Sequence, residues 1–193
     1  MKMIALRAGI AALLLCRLTP AALAETSAGV QSKVNAAMKN AKSFVVTTFD
    51  PGNAYSATLV YVAPDRSRLA VAVSASTTDV VTVGNTAYSS KNGATFEKAD
   101  VSDAEKARSL PVGSMKVDAV RPDVTIAGVT YGAFDSTVPL GDPVTLTCAY
   151  DKRSFRLARC ANNEVTRTYG AYDDPSNVVQ TPPTFVDAPR SGK

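Results

Sequence analysis

Histidine is absent from this chain of 193 residues, and its absence removes several kinds of chemistry at once. Nucleophiles that rely on a histidine base and metal sites built on imidazole are both excluded. No serine stands three residues before a lysine, and the chain has neither a Cys-x-x-Cys pair nor a glycine-rich phosphate loop. We therefore predict no catalytic residue, no metal site and no cofactor, and a protein that is not an enzyme.

Carboxylate pairs remain the one route to hydrolysis that this composition leaves open. Asp173 and Asp174 precede Pro175, which is typical of a turn. Asp100 and Asp103 flank a predicted helix start, where acidic residues are expected in any case. Hydrolysis by an acid pair is therefore the third and weakest hypothesis.

Arg167, Tyr169 and Tyr172 form a group that is able to stack on a ligand. In a strand, the spacing of the two tyrosines places them on opposite faces, which is poor for a shared platform. Packing in the core and at its rim is the favoured interpretation.

The first 24 residues have the features of a cleavable signal peptide. Lys2 and Arg7 precede an apolar run from 8 to 16, and the small-residue pattern Ala22-Leu23-Ala24 follows. The run is too short to span a membrane. We predict cleavage between Ala24 and Glu25 and an exported, periplasmic protein that does not span the membrane. Lipidation at Cys16 stays open as a variant.

Removing this segment changes the charge and the cysteine count of the chain. Three of the 21 basic residues lie in it, so the net charge falls from +4 to +1. A nearly neutral domain is a poor partner for nucleic acid. Cys148 and Cys160 remain as an even pair, which favours a disulfide in an oxidising compartment over two buried thiols. They lie opposite each other if the intervening turn is wide or bulged, whereas a tight turn at Lys152-Arg153 pairs Cys148 with Leu157 instead.

The predicted elements are one amphipathic helix followed by about ten strands. Apolar residues at helical spacing mark a helix over 27–42, and a capping-box pattern marks a short second helix over 102–110. Gly84-Asn85 and Asn92-Gly93 predict hairpin turns, and Pro51-Gly52 predicts a type II turn. Gly128 and Gly132 indicate a bulge or a close backbone approach within one strand. The predicted strands cover 43–49, 55–63, 67–76, 79–83, 86–91, 94–99, 123–134, 144–150, 155–160 and 164–172.

Hairpin-length connections between so many strands favour an antiparallel sheet that curls, because a twisted sheet of this size does not stay flat. We predict an α+β fold: a curved antiparallel sheet, an open half-barrel, wrapped around the N-terminal helix and the short second helix. A two-sheet sandwich is the alternative. The predicted domain covers residues 25–183, with a flexible tail at 184–193.

Three stretches of the sequence resemble one known family. They are the strand-turn-strand segment 61–68, the double-hairpin segment 80–98 with its Gly-Asn turn, Tyr88 and Phe96, and the closing segment 172–182. With the N-terminal helix, they resemble the LolA/LolB-like superfamily of periplasmic lipoprotein carriers, over most of residues 27–183. The resemblance implies an open half-barrel with helices in its concavity and a role in lipid or lipoprotein transport.

A sheet rich in Val, Ala and Leu also predicts an apolar concave face that one helix fills only partly. We predict a carrier that holds a lipid or a lipoprotein acyl chain there. The alternatives are that this face is only core, or that the fold serves as an envelope interaction or stress-sensing module with a protein partner. The predicted ligand-binding residues are Phe44, Val46, Leu59, Tyr61, Leu69, Val71 and Val73.

Overall fold

A computed structural model describes residues 25–100, 114–140 and 142–188. These residues form one helix and twelve strands, and every strand belongs to a single sheet. The predicted signal peptide and the predicted second helix over 102–110 lie outside the described residues. The elements are α1 (Ser27–Asn40), β1 (Ser43–Asp50), β2 (Tyr55–Val62), β3 (Arg66–Val73), β4 (Ser76–Val83), β5 (Thr86–Lys91), β6 (Phe96–Asp100), β7 (Ala119–Ile126), β8 (Val129–Leu140), β9 (Asp142–Tyr150), β10 (Leu157–Ala161), β11 (Thr166–Gly170) and β12 (Phe185–Asp187).

The sheet is open and almost entirely antiparallel, with the strand order β12-β6-β5-β4-β3-β2-β1-β11-β10-β9-β8-β7. Hairpins connect most neighbours. The β1–β11 pair is different, because it joins strands from opposite ends of the chain, and β12 pairs with β6 in parallel. One open antiparallel sheet with a helix on it agrees with the predicted α+β class, and the two-sheet alternative is wrong.

The turn predictions were right where two glycine-containing dipeptides mark hairpins. Gly84 and the Asn92-Gly93 pair have the positive φ angles that such turns require. Two further hairpins were missed, at Ser74-Ala75 and at Ala127-Gly128, where Ser74, Ala127 and Gly128 also have positive φ. Gly128 is therefore a turn residue that splits the predicted strand 123–134 into β7 and β8.

Gly132 confirms the predicted close backbone approach. A Cβ atom at this position would overlap the ring of Tyr150 on the neighbouring strand. The type II turn predicted at Pro51-Gly52 is wrong. The residue with positive φ is Ala54, and the Asp50 carboxylate accepts hydrogen bonds from the Asn53 backbone and side-chain amides, at 3.2 and 2.8 Å.

Helix α1 defines the inner face of the sheet, which is the face that carries it. Thr26 caps the helix by accepting a hydrogen bond from the Gly29 amide at 3.1 Å. The predicted apolar stripe is confirmed, since Val30, Val34 and Met38 are buried against the sheet. Apart from Ala41 and Val117, the other buried members of this main core come from β1, β2 and β8–β11.

The C-terminal segment covers part of the opposite, outer face. Val179 is buried in a second small cluster with Val81 and Tyr88, and Phe96 packs against it. Beyond it, Phe185 contacts the Tyr88 ring edge-on as β12 pairs with β6. Residues 185–187 of the predicted tail thus belong to the sheet. The domain boundaries and the flexibility of 184–193 stay predictions.

Cys148 and Cys160 form a disulfide across β9 and β10, on the inner face and inside the main core. They are direct partners in the strand register, and the register shifts between Leu157 and Arg159. The wider, bulged connection that the pairing required is therefore present. The bridge fastens two strands against which α1 packs.

Removing this disulfide should destabilise the domain by about 3 kcal/mol, because a cross-link spanning 12 residues restricts the unfolded chain. We expect the variant Cys148→Ala/Cys160→Ala to show this loss of unfolding free energy in urea denaturation. Reductant should lower the stability of the wild-type protein by a similar amount and leave the variant unchanged. Equal stability of the oxidised protein and the variant would contradict the prediction.

Candidate ligand-binding site

All seven predicted ligand-binding residues lie on the inner face, as strand alternation and register require. Phe44, Val46 and Tyr61 are buried under α1 in the main core, and Leu59 packs against its edge. Leu69 and Val71 are half-buried. Val73 is 44% exposed. The structure brings the seven together on one surface, but it seals three of them, and binding by any of them stays a prediction.

The uncovered part of this surface follows from the length of α1. Fourteen residues span about 21 Å, whereas twelve strands spaced about 4.8 Å apart span roughly 53 Å across a flat sheet. The helix packs over β1, β2 and β8–β11 and leaves the inner face of β3 and β4 partly open. We call the open patch formed by Leu69, Val71, Val73 and Val80 the apolar groove.

A pocket of about 340 Å³ lies next to the apolar groove, at the inner-face end of β1, β2 and β11. We call it the end pocket. Val73 belongs to both, and Arg167 and Asp50 are its charged residues. Its lining consists of Thr48, Asp50, Asn53, Tyr55, Val73, Val165 and Arg167.

The two charges of the end pocket differ in how they are satisfied. The hydrogen bonds from Asn53 hold the pKa of Asp50 below its ordinary value, so this carboxylate is ionised at neutral pH. Arg167 makes no ion pair with any described residue, and its Nε atom is buried without a hydrogen-bond acceptor. Burial raises the pKa of the neighbouring Tyr169, and the charge of Arg167 and then a hydrogen bond with Arg167 oppose that effect. The end pocket thus contains one cation with unused donors.

Two further grooves lie on the outer face. One, of about 450 Å³, is lined by residues 56–58 of β2, 70–72 of β3 and 77–79 of β4, beside the β5–β6 turn. The other, of about 460 Å³, lies between Val81, Phe96 and the C-terminal segment. Arg68 and Asp79 form an ion pair at 2.6 Å between them, so each charge there is already neutralised. The end pocket shares Val73 with the predicted surface, and the groove of about 450 Å³ includes Val71 in its lining.

Two side-chain amides of α1 fasten the helix to the segment that leads into β7. The Asn35 amide group donates to the Met115 carbonyl and accepts from the Met115 backbone amide, both at 2.9 Å. Gln31 accepts from the Val117 backbone amide at 2.9 Å. These bonds determine which half of the inner face the helix covers.

Glu25 fastens the start of the helix. Its carboxylate accepts hydrogen bonds from Lys33 and from the Tyr150 hydroxyl, each at 2.8 Å. Lys33 first, and then Tyr150, lower the pKa of Glu25. The pKa of Tyr150 rises, mainly because the ring is buried and secondly because its hydroxyl bonds to the carboxylate.

Sequence reasoning missed most of the end pocket. Thr48 follows Val46 by two residues, so alternation was a usable signal, whereas Arg167 joins the site only through the β1–β11 pairing. Tyr169 and Tyr172 both pack in the main core, as the packing interpretation predicted. The placement on opposite faces was wrong, because β11 ends at Gly170 and Ala171 has positive φ.

Comparison with known proteins gives a similarity in structure and none in sequence family. The chain is similar in structure to a LolA superfamily protein from Nitrosomonas europaea, with 12% sequence identity, 82% of this chain and 99% of that chain covered, and a TM-score of 0.34. No protein-family model matches the sequence, and a search of curated proteins finds no match.

Within residues 25–100, 114–140 and 142–188, no helix is long and apolar enough to cross a membrane. Over the same ranges, no three His, Cys, Asp or Glu side chains come together as metal ligands.

Replacing Asn35 by Ala should lower the free energy of unfolding by about 1–2 kcal/mol, because the amide and carbonyl of Met115 lose their partners. Urea denaturation followed by circular dichroism measures the loss. Asn40→Ala is the matched control, since Asn40 is exposed in the same helix. Equal losses in the two variants would show that the hydrogen bonds between Asn35 and Met115 do not stabilise the domain.

Stability should also depend on pH through Glu25. Because its folded pKa lies below the ordinary value of 4.5, its stabilising effect is complete above pH 4.5 and is lost as the pH falls through the lowered pKa. We expect Glu25→Gln to lower the melting temperature at pH 7 and to differ less from wild type at pH 3. Differential scanning calorimetry at both pH values checks this, and a pH-independent difference would contradict it.

Proposed function

We propose that the protein is a non-enzymatic, exported carrier that holds an acyl chain on the inner face of its sheet, beside α1. The observation that supports this most directly is the apolar groove. Leu69, Val71 and Val80 continue the rows of the core beyond the helix but stay only half-buried. A concave apolar surface of this kind is the ordinary setting of a lipid site.

The strand register supports a continuous path along this surface. Val46, Leu59, Leu69 and Val80 are in register across four neighbouring strands. The first is covered by α1, and the last two are partly open. A chain that enters from β4 therefore meets apolar side chains up to the helix, with its interior end at the main core.

Export and the disulfide are consistent with each other. Cys148 and Cys160 are bridged in the core, and structural disulfides belong to oxidising compartments such as the periplasm. We infer that the segment before Glu25 directs the protein there and is removed. The expected product begins at Glu25, whose side chain is tied to α1 and Tyr150.

Catalysis receives less support. Acid-pair hydrolysis needs two carboxylates facing one cleft. The end pocket contains Asp50 as its one carboxylate, and the outer groove of about 450 Å³ contains Asp79, which is paired with Arg68.

A role as an interaction or sensing module also receives less support. The edge strand β7 contains Pro122 and a register shift, and both hinder pairing with a strand of another protein. The other edge strand, β12, has only three residues, and a strand this short is a poor template for pairing.

Paired variants on adjacent residues test which face binds. Val71→Asn/Val73→Asn makes the apolar groove polar, and Ala70→Asn/Ala72→Asn does the same in the outer groove on the opposite face of β3. We expect the first to weaken binding of a fluorescent fatty acid about tenfold, because it removes apolar contact, and the second to leave binding unchanged.

Native mass spectrometry of protein purified from the cell envelope provides an independent measurement. A co-purified lipid that is lost from the Val71→Asn/Val73→Asn variant would support the proposal. Ligand-free wild-type protein that also ignores fatty acids, or binding lost only in the outer-face variant, would contradict it.

A further inference from the structure

We propose that the end pocket recognises the carboxylate of a fatty-acyl ligand and that Arg167 is the residue that binds this headgroup. The inference rests on the proposed function, since it places the polar end of the ligand whose chain lies in the apolar groove. It adds a ligand class, fatty acids with a free carboxylate, and a residue that selects it.

The first argument is the state of Arg167. Its Nε atom is inaccessible to solvent and has no acceptor, although buried polar atoms in proteins nearly always have a partner. Arg68, Arg121 and Arg156 each pair with a carboxylate, so the described chain satisfies comparable guanidinium groups elsewhere. Arg167 thus lines a pocket without a carboxylate partner among the described residues, and a ligand carboxylate would provide one.

The second argument is position. Arg167 is in register with Thr48, then with Ala57, then with Val71. Three strand spacings separate Arg167 from Val71, about 14 Å. Thr48 and Ala57 lie between them, and their short side chains leave room for a ligand above the sheet. A carboxylate at Arg167 therefore lies at one end of a row that leads to the apolar groove.

The third argument is charge. The planar guanidinium group matches a carboxylate through two parallel hydrogen bonds. Asp50 also faces the end pocket and is ionised, so the pocket has no net charge without a ligand. One cation beside one anion suits a singly charged carboxylate better than a phosphate with two charges.

Calorimetric titration with oleic acid and with oleyl alcohol at pH 8 tests the inference, because the two probes share a chain and differ at the headgroup. We expect wild-type protein to bind oleic acid at least tenfold more tightly. Arg167→Gln should remove this preference, because it weakens oleic acid binding far more than oleyl alcohol binding. Arg167→Lys should keep part of it, because the charge stays and the planar donor pair is lost.

Two further variants serve as controls. One removes a positive charge at a different position, and the other removes the negative charge from the end pocket. Arg159→Gln removes the same charge from the adjacent strand β10, on the exposed outer face, and should keep the preference. Asp50→Asn should strengthen oleic acid binding, since it removes a like charge while keeping an oxygen acceptor for Asn53. Circular dichroism verifies that each variant is folded.

The outcomes separate this inference from the proposed function. Equal binding of both probes by wild-type protein, or a preference that survives Arg167→Gln, would overturn the role of Arg167. The proposed function as an acyl-chain carrier would still stand in either case. Tighter binding of oleoyl lysophosphatidic acid than of oleic acid would overturn the choice of carboxylate. Binding of none of the three probes would overturn both proposals.

Discussion

The contact between one short helix and one wide sheet is the constraint on which the rest of this structure depends. A helix of 14 residues is less than half as long as twelve strands are wide, so it buries the inner face of only some of them. Where it packs, the side chains form a dense core that contains the disulfide. Beyond it, the same alternation of Val and Leu continues on β3 and β4 without a full cover.

The position of the helix is determined by polar contacts more than by its apolar stripe. An apolar stripe packs against any apolar part of the inner face, because hydrophobic burial has no direction. Asn35, Gln31 and Glu25 have defined partners, at Met115, Val117 and Tyr150, and these partners lead into or belong to β7 and β9. Directional hydrogen bonds thus select which half of the sheet is covered and which half stays open.

The long-range pairing of β1 with β11 has a comparable role for the end pocket. It joins the first strand to a strand more than one hundred residues later and places Arg167 directly opposite Thr48. Asp50 enters the same pocket because the following turn uses it as a hydrogen-bond acceptor. The C-terminal segment meanwhile crosses the other face and adds β12 to the edge at β6. The two faces of the sheet therefore differ: α1 covers part of the inner face and leaves an apolar patch open, whereas the C-terminal segment covers part of the outer face.

Local patterns in the sequence determined the helix and its buried face, the common face of the seven predicted residues, and the Gly84 and Asn92-Gly93 turns. Each depends on neighbours in the chain or on a period of two or 3.6, and such signals survive without knowledge of the fold. Turns without a glycine pair, such as Ser74-Ala75, have no comparable local signal. Only the tertiary structure decided that Phe44, Val46 and Tyr61 are covered while Val73 is open, and that Arg167 lies beside Asp50. Those outcomes depend on helix placement and on pairing between distant strands, for which a single sequence has no local marker.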